Sequence, residues 1–66
     1  MILKIGRVKK NLSLEKLEGV TGITRRTLGG YENGKLNCMT LRNLKKLIIA
    51  LDLTDQEVLE LLKEVE

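Results

Sequence analysis

The chain has 66 residues, with 12 Lys and Arg against 9 Asp and Glu, which gives a net charge of +3. It contains no His and a single cysteine, Cys38, which excludes a His/Cys metal site, a His-activated nucleophile and a disulfide framework. The length predicts one domain over residues 1–66, and the groups left for catalysis are carboxylates and lysines on solvated helix faces, so we expect no enzyme and no cofactor.

Two short helices are predicted at the start of the chain. The first covers about 2–10, where Gly6 weakens it. The second covers about 14–20 and follows Ser13, whose side chain can cap the first turn. It ends near Gly22, because glycine readily adopts the left-handed conformation that closes a helix.

A third helix is predicted at about 25–32, between the N-cap Thr24 and the stop signal at 33–34. Two short helices joined by a tight turn that contains glycine form a helix-turn-helix, here over about 13–32. On a helical wheel, the core side of the third helix carries Thr27, Leu28 and Tyr31, and the exposed side carries Arg25, Arg26, Gly29 and Gly30. The second of these helices is therefore a candidate for insertion into a DNA groove.

A fourth helix is predicted at about 41–51 and a fifth at about 55–65, which opens with a capping box over Thr54 and Glu57. The residues predicted to face the core are Leu41, Leu44, Leu47, Ile48 and Leu51 in the fourth helix and Val58, Leu61, Leu62 and Val65 in the fifth. No segment alternates as a strand would, so the predicted fold class is all-α.

Charge is divided unevenly along the chain. Residues 1–51 hold 11 basic and 3 acidic groups, whereas residues 52–66 hold 1 basic and 6 acidic groups. A basic body favours a polyanionic partner, and an acidic end repels it. A solvated basic face without a partner would show the same pattern, so charge alone leaves both interpretations open.

Nothing in the sequence resembles a membrane span or a secretion signal, since no apolar run approaches roughly 18 residues. We therefore expect a cytoplasmic protein. In that reducing compartment, Cys38 is expected to act as a small buried hydrophobic residue.

Three short sequences and one helix carry a resemblance to a known family: Leu-Ser-Leu-Glu-Lys-Leu at 12–17, Thr-Gly-Ile-Thr-Arg-Arg-Thr-Leu at 21–28, Tyr-Glu-Asn-Gly-Lys at 31–35, and the apolar spacing of 41–51. Over residues 3 to about 58 the chain resembles the Cro and lambda-repressor-like (XRE) helix-turn-helix proteins. The resemblance implies a five-helix domain and a bacterial or phage-encoded transcriptional regulator, of the repressor type. It also implies a homodimer that binds a near-palindromic double-stranded DNA operator.

The resemblance also implies roles for single residues. Arg25 and Arg26 match positions that read bases, and their paired donors suit the O6 and N7 atoms of guanine. Thr24, Thr27 and Gly30 match positions that touch base or phosphate. The positions that hold phosphates are matched by Ser13, Asn33, Lys35 and Arg42, with Lys9 or Lys10 as further candidates.

Other residues are expected to be structural or to join two copies. Arg7 and Glu32 match an ion pair between the first and third helices of the family. Ile49 and Leu59 lie off the core stripes of their helices and are candidates for a dimer surface. Isolated exposed aliphatic residues are also common, and that interpretation of the two stays open.

Departures from the family pattern concern Glu18, Gly29 and Gly30. Glu18 stands where the family has a small residue, so its carboxylate must reach solvent or a cation. Each glycine costs about 1 kcal/mol of helix propensity relative to Ala. Either a partner approaches the bare backbone closely, or the glycines reflect a tight internal contact or a tolerated weakness. A second function also stays open, in which the face of Arg25, Arg26, Gly29 and Gly30 binds a protein partner, as in an antitoxin or an adaptor.

Overall fold

The computed structural model describes residues 2–65, and within that range it contains helices and no strands. The helices are α1 (Ile2–Lys9), α2 (Leu14–Thr21), α3 (Arg25–Glu32), α4 (Leu41–Leu51) and α5 (Asp55–Glu64), with one 3-10 turn at Leu36–Cys38. The prediction of an all-α fold with five helices is confirmed. Each helix in this range is too short or too polar to cross a lipid bilayer.

The helix ends differ from the predicted ones by one residue at most. α1 stops at Lys9 because the chain turns at Asn11, whose φ is 56° and whose N–H donates to the Val8 carbonyl at 2.9 Å. α2 continues through Thr21, whose buried hydroxyl donates to the Leu17 carbonyl at 2.8 Å. α5 ends one residue before the predicted position 65. The 3-10 turn was not predicted, because three residues show no periodicity.

Side-chain caps begin four of the five helices. The hydroxyls of Ser13, Thr24, Thr40 and Thr54 each accept a hydrogen bond from the backbone N–H three residues later, at 3.1 to 3.3 Å. The Glu57 carboxylate also accepts the Thr54 N–H at 2.9 Å, which completes the capping box. This bond lowers the pKa of Glu57, against the opposing effect of desolvation. Each such cap stabilises its helix by about 1 kcal/mol.

The core is built mainly from leucines contributed by every helix. Leu17, Leu28, Leu47 and Leu61, from α2, α3, α4 and α5, are the most fully buried, and each buried leucine stabilises the fold by about 1.5–3 kcal/mol. Leu3 adds α1 to the same cluster. α1 passes so close to the turn after α4 that a Cβ at Gly6 would lie 3.3 Å from Leu53 Cδ2. The glycine that weakens α1 therefore permits its packing.

Three residues predicted to face the core are exposed instead. Leu41 is 84% exposed, Leu62 is 50% exposed, and Val65 is also on the surface. They lie at one edge of the bundle, where the first turn of α4 and the last turns of α5 line an open groove. The expectation of a buried Cys38 is also wrong, because the thiol lies on the surface at the end of the 3-10 turn.

Arg7 of α1 and Glu32 of α3 form a bidentate ion pair. Arg7 Nε lies 2.7 Å from Glu32 Oε2, and Nη2 lies 3.1 Å from Oε1. A third guanidinium nitrogen, Nη1, donates to the Leu12 carbonyl at 2.8 Å. The hydrogen bond to Glu32 raises the pKa of Arg7, although burial acts in the opposite direction. The ion pair joins Glu32, the last residue of α3, to α1, and the bond to Leu12 joins Arg7 to the turn after α1.

Candidate nucleic-acid interface

α2 and α3 are joined by three residues that fix the angle between them. Gly22 has a φ of 75°, and its N–H donates to the Glu18 carbonyl at 2.7 Å, which closes α2. Ile23 is buried, and its N–H donates to the Thr21 hydroxyl at 3.1 Å. Thr24 then caps α3. The turn is therefore anchored on both sides and holds α3 across α2.

Tyr31 anchors α3 on its other side. The ring is buried, and its hydroxyl accepts a hydrogen bond from Asn43 Nδ2 of α4 at 3.0 Å. Together with the pair between Arg7 and Glu32, this bond fixes the C-terminal half of α3. The opposite face of the helix stays on the surface, with Arg25 and Arg26 in its first turn.

The two arginines of α3 differ in their surroundings. Arg25 is 60% exposed and contacts two carboxylates of α2, with Nη1 at 3.3 Å from Glu15 Oε2 and Nε at 3.1 Å from Glu18 Oε1. Arg26 has no ion pair within residues 2–65. Arg25 must therefore exchange carboxylate partners for any external acceptor, whereas the Arg26 guanidinium is available.

The same contacts account for the carboxylate that departs from the family pattern. Glu18 is 36% exposed and pairs with the cation of Arg25, so its charge is neither deeply buried nor unpaired. Sequence reasoning required a cation or solvent for Glu18 but did not identify Arg25. It missed Glu15 altogether, since ten residues separate Glu15 from Arg25 and only the angle between α2 and α3 brings them together.

The two threonines of α3 engage each other. The Thr24 hydroxyl accepts the Thr27 N–H at 3.3 Å and donates to the Thr27 hydroxyl at 3.0 Å. Thr24 is exposed and Thr27 is half-buried. Both hydroxyls therefore lie at the N-terminal end of α3, where an external acceptor could replace the bond between them.

The residues matched to phosphate contacts are all exposed, and they lie at helix ends and turns. Ser13 caps α2, Asn33 and Lys35 follow α3, and Arg42 stands in the first turn of α4. The two further candidates lie closer to acidic groups. Lys9 Nζ is 4.0 Å from Oε2 of Glu57, in the first turn of α5, and Lys10 Nζ is 3.7 Å from Oδ2 of Asp52, the C-cap of α4.

A hollow of about 280 Å³ opens between α3 and the segment that follows it. Its lining residues are Arg26, Thr27, Gly30, Tyr31, Lys35 and Cys38. Sequence reasoning assigned Arg26, Thr27, Gly30 and Lys35 to a nucleic-acid interface but did not place them around one depression. Gly30 was the sequence signal that could have indicated the hollow, because a residue without a side chain leaves a gap on the helix surface.

A protein-family model described as helix-turn-helix matches residues 3–58 of this chain. The match covers the paired helices α2 and α3, the turn between them and the whole of α4. No curated protein and no solved structure matches the chain. The segment that the family model matches therefore contains both helices of the candidate interface.

Proposed function

This chain belongs to the helix-turn-helix family, of the Cro and lambda-repressor-like (XRE) type, and we propose from that membership that it is a sequence-specific transcriptional regulator. The observation that supports it best is the pair of exposed arginines, Arg25 and Arg26, at the N-terminal end of α3. In this proposal α3 enters the major groove and the two guanidinium groups bind guanine O6 and N7. Thr24 and Thr27 supply hydroxyls beside them.

Phosphate contacts position α3 in this proposal. The helix N-termini at Ser13 and Arg42 and the exposed turn at Asn33 and Lys35 offer four such contacts per copy. Each neutralised phosphate makes affinity fall with salt. With four contacts, the DNA affinity of one copy falls about 10²-fold between roughly 50 and 200 mM salt. With the eight contacts of a dimer, the affinity falls about 10⁴-fold over the same range. The salt dependence therefore also reports how many copies bind.

The test is selection from a random duplex library, followed by titration of the selected duplex and of a scrambled one at these two salt concentrations. We expect enrichment of a near-palindrome with guanine in each half-site, and a salt dependence near the value for eight contacts. Salt-sensitive binding without enrichment would indicate a nonspecific DNA-binding protein. Absence of any binding would favour the protein-interaction module, with the face of Arg25, Arg26, Gly29 and Gly30 as its docking surface.

The proposed protein acts as a homodimer, because two recognition helices about 34 Å apart then read successive major grooves. The residues predicted for the contact, Ile49 and Leu59, are 70% and 59% exposed. Leu59 of α5 is followed by the exposed Leu62 and by Val65, the C-cap of the helix; Leu62 and Val65 line the groove at the edge of the bundle together with Leu41. This groove has a volume of about 200 Å³.

Charge favours a second copy as the occupant of that groove. α4 carries Arg42, Lys45 and Lys46 and no acidic residue, whereas α5 carries Asp55, Glu57, Glu60 and Glu64 beside a single lysine. A two-fold interface brings the same surfaces together in reverse. It can therefore set the acidic α5 of one copy against the basic α4 of the other, with the exposed leucines between them.

The variant Leu62→Glu is expected to convert the dimer to a monomer, because it places a carboxylate in the apolar contact. Sedimentation equilibrium measures the change, and circular dichroism verifies that the variant is folded. The matched control is Val8→Glu, which alters an exposed aliphatic residue of α1 outside the groove; Val8 is 60% exposed and Leu62 is 50% exposed. A Leu62→Glu variant that stays dimeric contradicts this interface. Ile49→Glu then tests the other predicted surface.

A further inference from the structure

The two adjacent glycines of α3 have no packing reason within residues 2–65. A Cβ built on Gly29 would have no heavy atom within 4 Å outside its own helix, and one built on Gly30 would have only Lys35 Cδ, at 3.9 Å. Both positions therefore have room for a methyl group. Neither residue has a positive φ; among the glycines, that conformation occurs at Gly22 and Gly34. A tight internal contact therefore does not explain why helix propensity is given up here.

Gly30 is distinguished from Gly29 by its place in the hollow beside α3. Only Gly30 lines it, one turn after Arg26 and below the side chain of Lys35. Both cations are part of the lining, and neither forms an ion pair with a described residue. The rest of the lining includes the Tyr31 ring and the exposed Cys38. The hollow thus combines a mostly apolar surface with unpaired positive charge.

This combination matches one component of DNA. A deoxyribose ring is compact and largely apolar on its faces, and the phosphate attached to it is an anion that a lysine can hold as a point charge. A base edge would instead require paired donors and acceptors, and Gly30 has no side chain to supply them.

Resting on the proposed function, we propose that Gly30 is the point at which the sugar–phosphate backbone of one DNA strand lies against the bare surface of α3. The deoxyribose contacts Gly30 and Cys38, and Lys35 holds the adjoining phosphate. Arg26, which also lines the hollow, stays directed to a base. Gly30 therefore acts through the missing side chain, which sets how closely the strand can approach the helix.

The variant Gly30→Ala separates this role from a structural one, because its effects on stability and on binding have opposite signs. Alanine improves helix propensity and meets no close atom, so the Tm should rise by about 4–8 °C. The added methyl group occupies the space of the deoxyribose. The affinity should fall about tenfold or more, equally for the selected duplex and for a scrambled one.

The matched control is Gly19→Ala in α2. Gly19 also lies inside a helix, although it is exposed and Gly30 is half-buried. No atom lies within 4 Å of its added Cβ, and it does not line the hollow. Its Tm should rise in the same way, while its DNA affinity stays at the wild-type value. Any loss of binding caused by the higher stability of the domain alone would appear in both variants.

Three results would overturn the inference. If Gly30→Ala binds DNA as tightly as the wild type, no strand approaches Gly30. If Gly30→Ala selects a different sequence, a base edge occupies the hollow in place of the sugar–phosphate backbone. A wild-type chain that binds no duplex overturns the proposed function together with this inference, whereas the first two results leave the proposed function standing.

Discussion

Replacing Arg25 and Arg26 together by Ala should lower the affinity by about 30-fold to 10⁴-fold for each half-site of the selected duplex, because each arginine paired with guanine contributes about 1–3 kcal/mol. The fold should persist. Both side chains are exposed, and the pairs that Arg25 makes with Glu15 and Glu18 contribute little to stability at the surface. Fluorescence anisotropy at a fixed salt concentration measures the loss.

The two single variants should differ. Arg25 must leave Glu15 and Glu18 before it reaches a base, and those two carboxylates then lie unpaired near the phosphates. Arg26 pays no such cost, so Arg26→Ala should lower the affinity more than Arg25→Ala does. In Arg25→Ala, Glu15 and Glu18 lack their cation both in the free protein and in the complex. Binding of this variant therefore breaks no ion pair, which offsets part of the affinity lost with the arginine.

The control for charge is the double variant Lys4→Ala with Lys63→Ala. It removes the same two positive charges from exposed positions on α1 and α5, outside the helix-turn-helix. Only a small, sequence-independent loss of affinity is expected from it. Equal losses in the two double variants would contradict base reading by α3. Intact DNA binding by the arginine variant, with loss of a copurifying protein, would support the protein-interaction module instead.

The sequence allowed prediction of the features that depend on neighbouring residues. The caps at Ser13 and Thr24, with the stop at Gly22, were sufficient to locate α2 and the start of α3, because each cap is a hydrogen bond spanning three residues. The capping box over Thr54 and Glu57 located the start of α5 for the same reason.

Features that depend on how the helices pack against each other were harder to predict from the sequence. The periodicity of α4 placed Leu41 on the same face as Leu44. Whether a residue at the end of a helix is buried, however, depends on what packs beyond the helix end, and Leu41 is 84% exposed. No periodic signal connects Glu15 to Arg25, or Cys38 to the hollow beside Gly30. These contacts arise from the crossing of α2 and α3 and from the path of the chain after α3.

Replacing Arg7 by Met should destabilise the fold by about 2–4 kcal/mol, which is a large part of the roughly 3–10 kcal/mol expected for a domain of this size. The variant leaves the Glu32 carboxylate, 9% exposed, without its cation and removes the donor to the Leu12 carbonyl. The expected loss of unfolding free energy is smaller than for a fully buried pair, because the Arg7 side chain is 15% exposed. Urea unfolding followed by circular dichroism measures it.

Two further variants decide whether burial is the cause. Arg25→Met also removes an arginine with carboxylate partners, but the pairs are exposed, so less than about 1 kcal/mol should be lost. In Arg7→Met with Glu32→Met, no buried charge remains, and the double variant should be more stable than Arg7→Met alone. If it is equally unstable, or if Arg7→Met unfolds at the same urea concentration as Arg25→Met, the cost does not come from an unpaired carboxylate.

The pair between Arg7 and Glu32 also bears on DNA reading, because Glu32 is the last residue of α3 and Arg7 ties it to α1. A recognition helix that is loose at its C-terminal end should lose discrimination between the selected and the scrambled duplex before it loses affinity for phosphates. We therefore expect the double Met variant to keep its salt-dependent binding and its sequence preference, since it restores packing between α1 and α3. Arg7→Met, measured at a temperature where part of it is still folded, should keep the salt dependence and show a weaker preference.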